Sequence, residues 1–253
     1  MSTFAAALAV EARKARASVV LRTVALLIVL GVCTLAVAMI LAARSGNTEL
    51  ITKLGPAAAT ADWAALLATA VQITAAGGLL GFGIGVSWIF GREFAQGTVS
   101  ALFGLPVSRG QIASAKLVVY LCWAVGVALL LIVGLLLAAL GVGLGLPDGE
   151  AVAGLLRQLG LGALTALIAV PAAWAASWGR GILPGIAVTV GLLVVAQVSV
   201  LGGFAAWLPV VAPAVWAMGP TASTTLALVA VPLVPLVFGT ATVASWIRLQ
   251  LDR

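Results

Sequence analysis

No histidine occurs anywhere in the 253-residue chain. That absence excludes imidazole-ligated metals, His general bases and the His-dependent triads and metalloproteases. Only two cysteines are present, Cys33 and Cys122, each deep in an apolar run. They build no disulfide framework and read as small buried apolar residues. Charge is equally scarce: 13 basic and 7 acidic residues amount to 8% of the chain, against 63% hydrophobic residues and a mean hydropathy of +1.25. A soluble domain carries about 25% charged residues. So few charges cannot solvate a 25.3 kDa globule, and hydrocarbon is the solvent for most of this chain.

The residues that are abundant arrange themselves in long uncharged runs. A bilayer needs about 20 apolar residues per helical span, and six such runs fall at about 24–43, 63–91, 117–146, 158–178, 182–207 and 223–247. Membrane β-strands would be about 10 residues long and alternate at every second position, a pattern these runs do not show. The expected fold is all-α, one polytopic transmembrane domain over residues 1–253 with six helices. Ala36-Val37-Ala38 mimics a signal-peptide cleavage site, but its run is longer than a secretory segment, so an uncleaved anchor is expected.

Orientation follows the Lys/Arg bias of short loops. With an even number of spans, one side holds Arg13, Lys14, Arg16, Arg22, Arg92, Arg109, Lys116, Arg180, Arg248 and Arg253, and the other only Arg44, Lys53 and Arg157. Both termini are therefore expected in the cytoplasm. The net charge of +6 is then mostly topology and requires no nucleic-acid partner. Arginine, alanine, valine, glycine and leucine richness is a compositional pointer to a GC-rich bacterial genome, hence to a bacterial inner (plasma) membrane.

Ionisable groups in mid-membrane mark ion and proton pathways, and here every Asp and Glu maps to a span end or a loop. The spans carry neutral polar groups instead. Gln72, Gln197 and Ser199 are candidates for a substrate path, with interhelical hydrogen bonding as the simpler role. Gly77, Gly81 and Gly85 recur every fourth residue, a small face suited to close helix packing within the bundle or at a dimer interface. Trp63, Trp88, Trp178, Trp207 and Trp246 sit near span ends, where indoles anchor in the headgroup zone.

Three segments outside the spans carry information. Residues 1–22 pattern as a weak basic amphipathic helix able to lie in the interface. Leu201 to Pro220 stays apolar although prolines interrupt it, which fits a re-entrant hairpin between spans 5 and 6. The stretch from Gly91 to Lys116 mixes apolar residues with charges at its ends. A helix from Glu93 to Phe103 would put its acid in the first turn, with Gly104 and Pro106 as stop signals and Ser108 as the next cap.

In that stretch Glu93-Phe94, Gly97-Thr98, Leu102, Pro106, Ser108-Arg109 and Lys116 follow in order and spacing a pattern that resembles the cytoplasmic loop of the ABC type-2 permeases, the membrane subunits of ATP-driven exporters. Span number, termini and length are similar as well. The resemblance implies a coupling helix between spans 2 and 3 that docks on a separate ATPase through Glu93, Phe94, Gly97, Thr98 and Leu102, with Arg109 and Lys116 behind it. It further implies two ATPase copies holding ATP and Mg2+, and a second permease copy, a homodimer being expected. The chain itself shows no nucleotide site: Lys14, Lys53 and Lys116 are its only lysines and none follows a glycine, as a phosphate-binding loop requires. No catalytic residue and no metal site are expected. The rival readings are a stand-alone channel or secondary carrier, a non-transporting assembly subunit and, least favoured, an intramembrane enzyme. The cargo is not encoded in any feature of the sequence.

Overall fold

Most of the early helices start on a side-chain cap, which sets where each begins. The computed structural model describes residues 2–46, 61–104, 106–203 and 208–250. Helix α1 (Thr3–Ala17) opens on Ser2, whose side chain accepts from the Ala5 N–H. Ser18 is extended, closes α1 and caps α2 (Val19–Arg44) through the Leu21 N–H. One serine thus makes the corner between an interfacial-length helix and a membrane-length one.

Asp62 caps α3 (Trp63–Ile73), which runs through a π-turn (Thr74–Gly78) into α4 (Leu79–Ala95). A four-residue helix α5 (Val99–Leu102) follows. Ser108 and Gln111 form a reciprocal capping box for α6 (Arg109–Gly141), and Asp148 caps α7 (Gly149–Ile168). Pro171 lacks the N–H needed to continue that helix, so the chain restarts as α8 (Pro171–Trp178). Then come α9 (Ile182–Leu201), α10 (Ala212–Met218), α11 (Ala222–Ala227), a 3-10 turn (Leu228–Ala230) and α12 (Leu233–Ile247).

Six helical stretches are long and apolar enough to cross a membrane: α2, α3–α4, α6, α7–α8, α9 and α11–α12. The count agrees with the hydropathy reading; several boundaries do not. Span 2 continues past Gly91 to Ala95, span 3 begins at Arg109 rather than Leu117, and span 4 begins at Gly149 rather than Gln158. For spans 2 and 3 the physical reason is that Arg92, Glu93 and Lys116 are paired inside the fold, so these charges do not end a helix; span 4 starts early because Asp148 caps it at Gly149. The helix expected from Glu93 to Phe103 is accordingly two pieces, the last turn of α4 and the separate α5.

The core lies between spans 2, 3, 4 and 6. At the face bearing both termini, Phe82, Phe90, Tyr120 and Trp246 are fully buried together. Tyr120 donates to the Ala166 carbonyl at 2.8 Å, a bond strengthened where water is excluded. Trp246 is not the interfacial anchor expected from its position: it is 1% exposed, and its indole N–H donates to Ser177 Oγ at 2.9 Å. The opposite face has its own cluster around Ile40, Leu66 and Leu135.

The glycine stripe is used for packing within the chain. A Cβ on Gly81 would lie 2.6 Å from Ile28 of span 1, and one on Gly85 2.6 Å from the Trp123 ring of span 3. Gly77 is different: it is exposed, and a Cβ there would meet only its own helix, at 3.9 Å. The expected hairpin between spans 5 and 6 falls partly on residues 204–207, outside the described residues, as does Trp207. Its described part contains α10, with Ala212, Pro213 and Ala217 buried; Trp216 beside α10's buried face meets Gly160 of span 4.

Candidate functional site

Two of the charged residues singled out around the loop between spans 2 and 3, Glu93 and Lys116, meet at a single point. Lys116, near the start of α6, is 0% exposed. Its ammonium lies 3.0 Å from Glu11 Oε2, 2.9 Å from Glu93 Oε2 and 3.1 Å from the Ile89 carbonyl. The Trp246 ring covers it at 5.5 Å, a cation–π contact in a desolvated setting. Lys14 bonds both carboxylates from the other side, Glu11 Oε1 at 2.6 Å and Glu93 Oε1 at 2.8 Å. Arg92 adds a longer pairing to Glu11 at 3.7 Å.

Five charges therefore tie three elements together: α1, the end of α4 and the start of α6. Each carboxylate lies between Lys14 and Lys116, so opposite charge offsets part of the desolvation cost, while Glu93 Oε2 is held by the Lys116 charge without an aligned hydrogen bond. Burial of Lys14 works against its charge, but hydrogen bonds to Glu11 and Glu93 and the attraction of both carboxylates outweigh it, holding this lysine above its ordinary value.

Beyond the cluster the chain reverses on a backbone device. Gly97 has φ +67°, the left-handed conformation that glycine adopts without a Cβ penalty. The Gly97 N–H donates to Phe94 O at 3.2 Å and the Thr98 N–H to Glu93 O at 2.9 Å, the pair of bonds that closes a helix on a left-handed residue. This is the physical content of the Gly-Thr pair in the sequence pattern. The turn is also held from its far end. Arg109 donates to the Leu249 carbonyl and stands 4.8 Å over the Phe103 ring, while Arg180 donates to the Gln250 carbonyl at 2.9 Å.

The seven residues to which the resemblance gives a coupling role thus separate into two groups. Glu93 and Lys116 are buried in the ion cluster, Phe94 packs edge-on against Trp246 at 5.9 Å, and Leu102 leans on the core. Gly97 and Thr98 are exposed, and Arg109 is half-buried. The surface presented by the turn also includes Gln96, Ser100, Ala101 and Phe103, which the sequence pattern does not mark. Glu11 was equally unmarked, although a single acid among Arg13, Lys14 and Arg16 was a signal for a specific partner.

The path candidates divide as well. Gln72 of span 2 and Gln197 of span 5 are both exposed and line one groove of about 240 Å³ with Ala75, Ala76 and Val210. Ser199 is buried and donates to the Ala196 carbonyl at 2.8 Å, the local bond by which a serine satisfies itself in a helix. Among the described residues no group of three or more Cys, Asp and Glu is placed to hold a metal.

The chain carries the signature of one protein family across most of its length. The family model described as ABC-2 family transporter protein matches residues 7–196, a stretch that includes the whole ion cluster, the turn, the first four spans and most of the fifth. No curated protein matches the chain. With six membrane-length helices and that match in hand, this chain belongs to the ABC-2 transporter family of membrane permeases.

Proposed function

We propose that the chain is the permease subunit of an ABC exporter, paired with a second copy and driven by two separate ATPase subunits that hold ATP and Mg2+. In this reading the face bearing both termini is cytoplasmic, in a bacterial inner membrane, and the turn from Gln96 to Ser108 is the coupling element. The observation that carries it is the buried cluster of Glu11, Lys14, Arg92, Glu93 and Lys116. A force on a surface turn is transmitted only if the turn is mounted rigidly, and this cluster mounts it on α1, span 2 and span 3 at once.

Glu93 and Lys116 are then mounting residues, and the ATPase is met by the exposed surface of Gln96, Gly97, Thr98, Ser100 and Phe103. Phe103 supplies the apolar anchor that docking surfaces favour at their centre. Cargo passes between the two copies. Exposed amides at membrane depth need water or a protein partner, and the Gln72–Gln197 groove gives the second copy and the cargo a place to supply one. Gly77 leaves the same side of span 2 open for a close approach.

The test is co-purification with the ATPase from native membranes. Phe103→Asp with Ser100→Arg is expected to abolish the complex and ATP-coupled export while leaving the permease's own thermal stability unchanged. A complex that survives both substitutions, in a permease of unchanged stability, would place the docking surface elsewhere.

A further inference from the structure

A groove of about 560 Å³ opens between α1, α2 and α6, away from the ion cluster. Its walls are apolar, with Leu8 and Ala15 from α1, Ala25 from α2, and Cys122, Trp123 and Leu130 from α6. Two arginines, Arg16 and Arg22, line it at the end nearest the α1–α2 corner, and both are exposed.

Three features define what fits there. The first is length: the α6 wall runs from Val118 to Leu130, about 18 Å at 1.5 Å per residue, a little over half of the roughly 30 Å hydrocarbon core. That is the depth of one leaflet. The second is polarity, which changes once along the groove, from two guanidinium groups to a continuous apolar wall. The third is charge. Among the described residues no Asp or Glu lines the groove, because Glu11 and Glu93 are engaged by Lys14 and Lys116.

The arginines are placed to receive an anion. Arg22 donates to the Ser18 and Ala17 carbonyls at 3.4 Å each, weak bonds that steer its head to the corner and leave further N–H groups free. Arg16 makes no hydrogen bond or ion pair among the described residues. Among the described residues a second copy has no matching acid to offer: Asp62, Asp148 and Glu150 sit at the opposite ends of the spans.

We propose that this groove binds one anionic glycerophospholipid of the surrounding leaflet, with its phosphate between Arg16 and Arg22 and an acyl chain along α6 past Trp123. Arginine suits this role because its planar fork of donors matches phosphate oxygens. The proposal requires α1 to lie in the membrane interface and is independent of whether the chain exports anything.

The experiment is lipid retention by the full-length protein, measured by native mass spectrometry after extraction from nanodiscs containing equal phosphatidylglycerol and phosphatidylcholine. Three forms are compared: wild type, R16Q/R22Q and Gly126→Phe. Gly126 lines the same groove, and a Cβ there meets nothing within 4 Å, so the phenyl ring fills the groove without a clash in the helix.

Wild type is expected to retain one phosphatidylglycerol per chain. R16Q/R22Q should lower the preference for it over phosphatidylcholine roughly 30-fold, the effect of two basic side chains at an anionic surface. Gly126→Phe should lose both lipids. Equal retention of the two lipids by wild type, or an unchanged preference in R16Q/R22Q, would overturn the assignment. So would inorganic phosphate stabilising the protein as well as phosphatidylglycerol does, or Gly126→Phe changing the oligomer mass in place of the bound lipid.

Discussion

Deleting Lys116 and Glu93 singly and together tests whether the five charges act as one unit. Lys116 is fully buried, and removing one partner of a buried pair costs about 3–5 kcal/mol because the other charge is left in a low dielectric. The two deletions are not equivalent here. The intact cluster holds three cations and two carboxylates. Lys116→Met leaves both carboxylates on Lys14, at 2.6 and 2.8 Å, so its loss should sit near the lower limit, about 3 kcal/mol. Glu93→Gln leaves the buried ammonium with Glu11 alone, which Lys14 and Arg92 also claim, and its loss should approach about 5 kcal/mol. The double variant removes the fully buried charge together with its partner. Its expected loss is about 5 kcal/mol rather than the sum of about 8, a coupling of roughly 3 kcal/mol. Unfolding in mixed micelles, followed by the fluorescence of the tryptophans (Trp246 stands 5.5 Å from Lys116), reads all three. Single losses below about 1 kcal/mol, the range of exposed pairs, or additivity within about 0.5 kcal/mol, would refute the rigid mount.

Two further predictions concern the same face. A Cβ on Gly91 would lie 2.7 Å from the carbonyl of Gly181 and the nitrogen of Ile182. Because backbone cannot swing aside, Gly91→Ala should destabilise by about 1–3 kcal/mol, whereas Gly77→Ala, which meets only Ile73, should be neutral in the same unfolding assay. The raised pKa of Lys14 sets a pH limit on α1. A group held above its unfolded value of 10.5 contributes its full stability below that pH and loses it as the pH climbs through the folded value. Protease cleavage within α1 should therefore be constant through the neutral range and rise only above about pH 10.5; a rise near neutrality would contradict the pairing.

The sequence disclosed the six spans because each is a run of apolar residues long enough for a bilayer, a property local to its own segment. It also disclosed the turn, since Gly97 and Thr98 close α4 by bonds to Phe94 and Glu93 a few residues away. What it concealed is non-local. Lys116 meets Glu11 across 105 positions and Lys14 meets Glu93 across 79, so no window of sequence contains the pair. Charges that are neutralised by a distant partner look like span ends, which is why spans 2 and 3 look short in the sequence; span 4 looks short because the Asp148 cap, before Arg157, lies outside its uncharged run. Trp246 hides its role for the same reason: its position is that of an anchor, but Ser177, 69 residues away, supplies the acceptor that lets it be buried. Helix caps tell the opposite story. Ser2, Ser18, Asp62, Ser108 and Asp148 all bond within three residues, yet only Ser108 was singled out, because the other caps lie outside the stretch that carried the pattern.

These contacts also determine how a push on the turn would travel in the exporter reading. The lower half of span 2, α4, is fastened to α1 and span 3 by the ion cluster and to span 6 by the Phe90 and Phe94 contacts with Trp246. The upper half, α3, takes no part in the ion cluster and packs against span 4 and against span 1, which α4 also meets at Gly81. Between them lies the π-turn Thr74–Gly78, where Gln158 of span 4 donates to Thr74 Oγ1 at 2.7 Å. Such turns interrupt the regular ladder and recur where helices must bend. Motion of the fastened block therefore concentrates its angular change at Thr74–Gly78, directly beside Gln72 and within the wall of the Gln72–Gln197 groove, which Ala75 and Ala76 complete. Locking the turn should uncouple the two halves without touching the docking surface. Deleting one residue between Thr74 and Gly78 to restore a regular helix is expected to leave ATPase association intact and to abolish export; retention of export with a regular span 2 would show that the force takes another route.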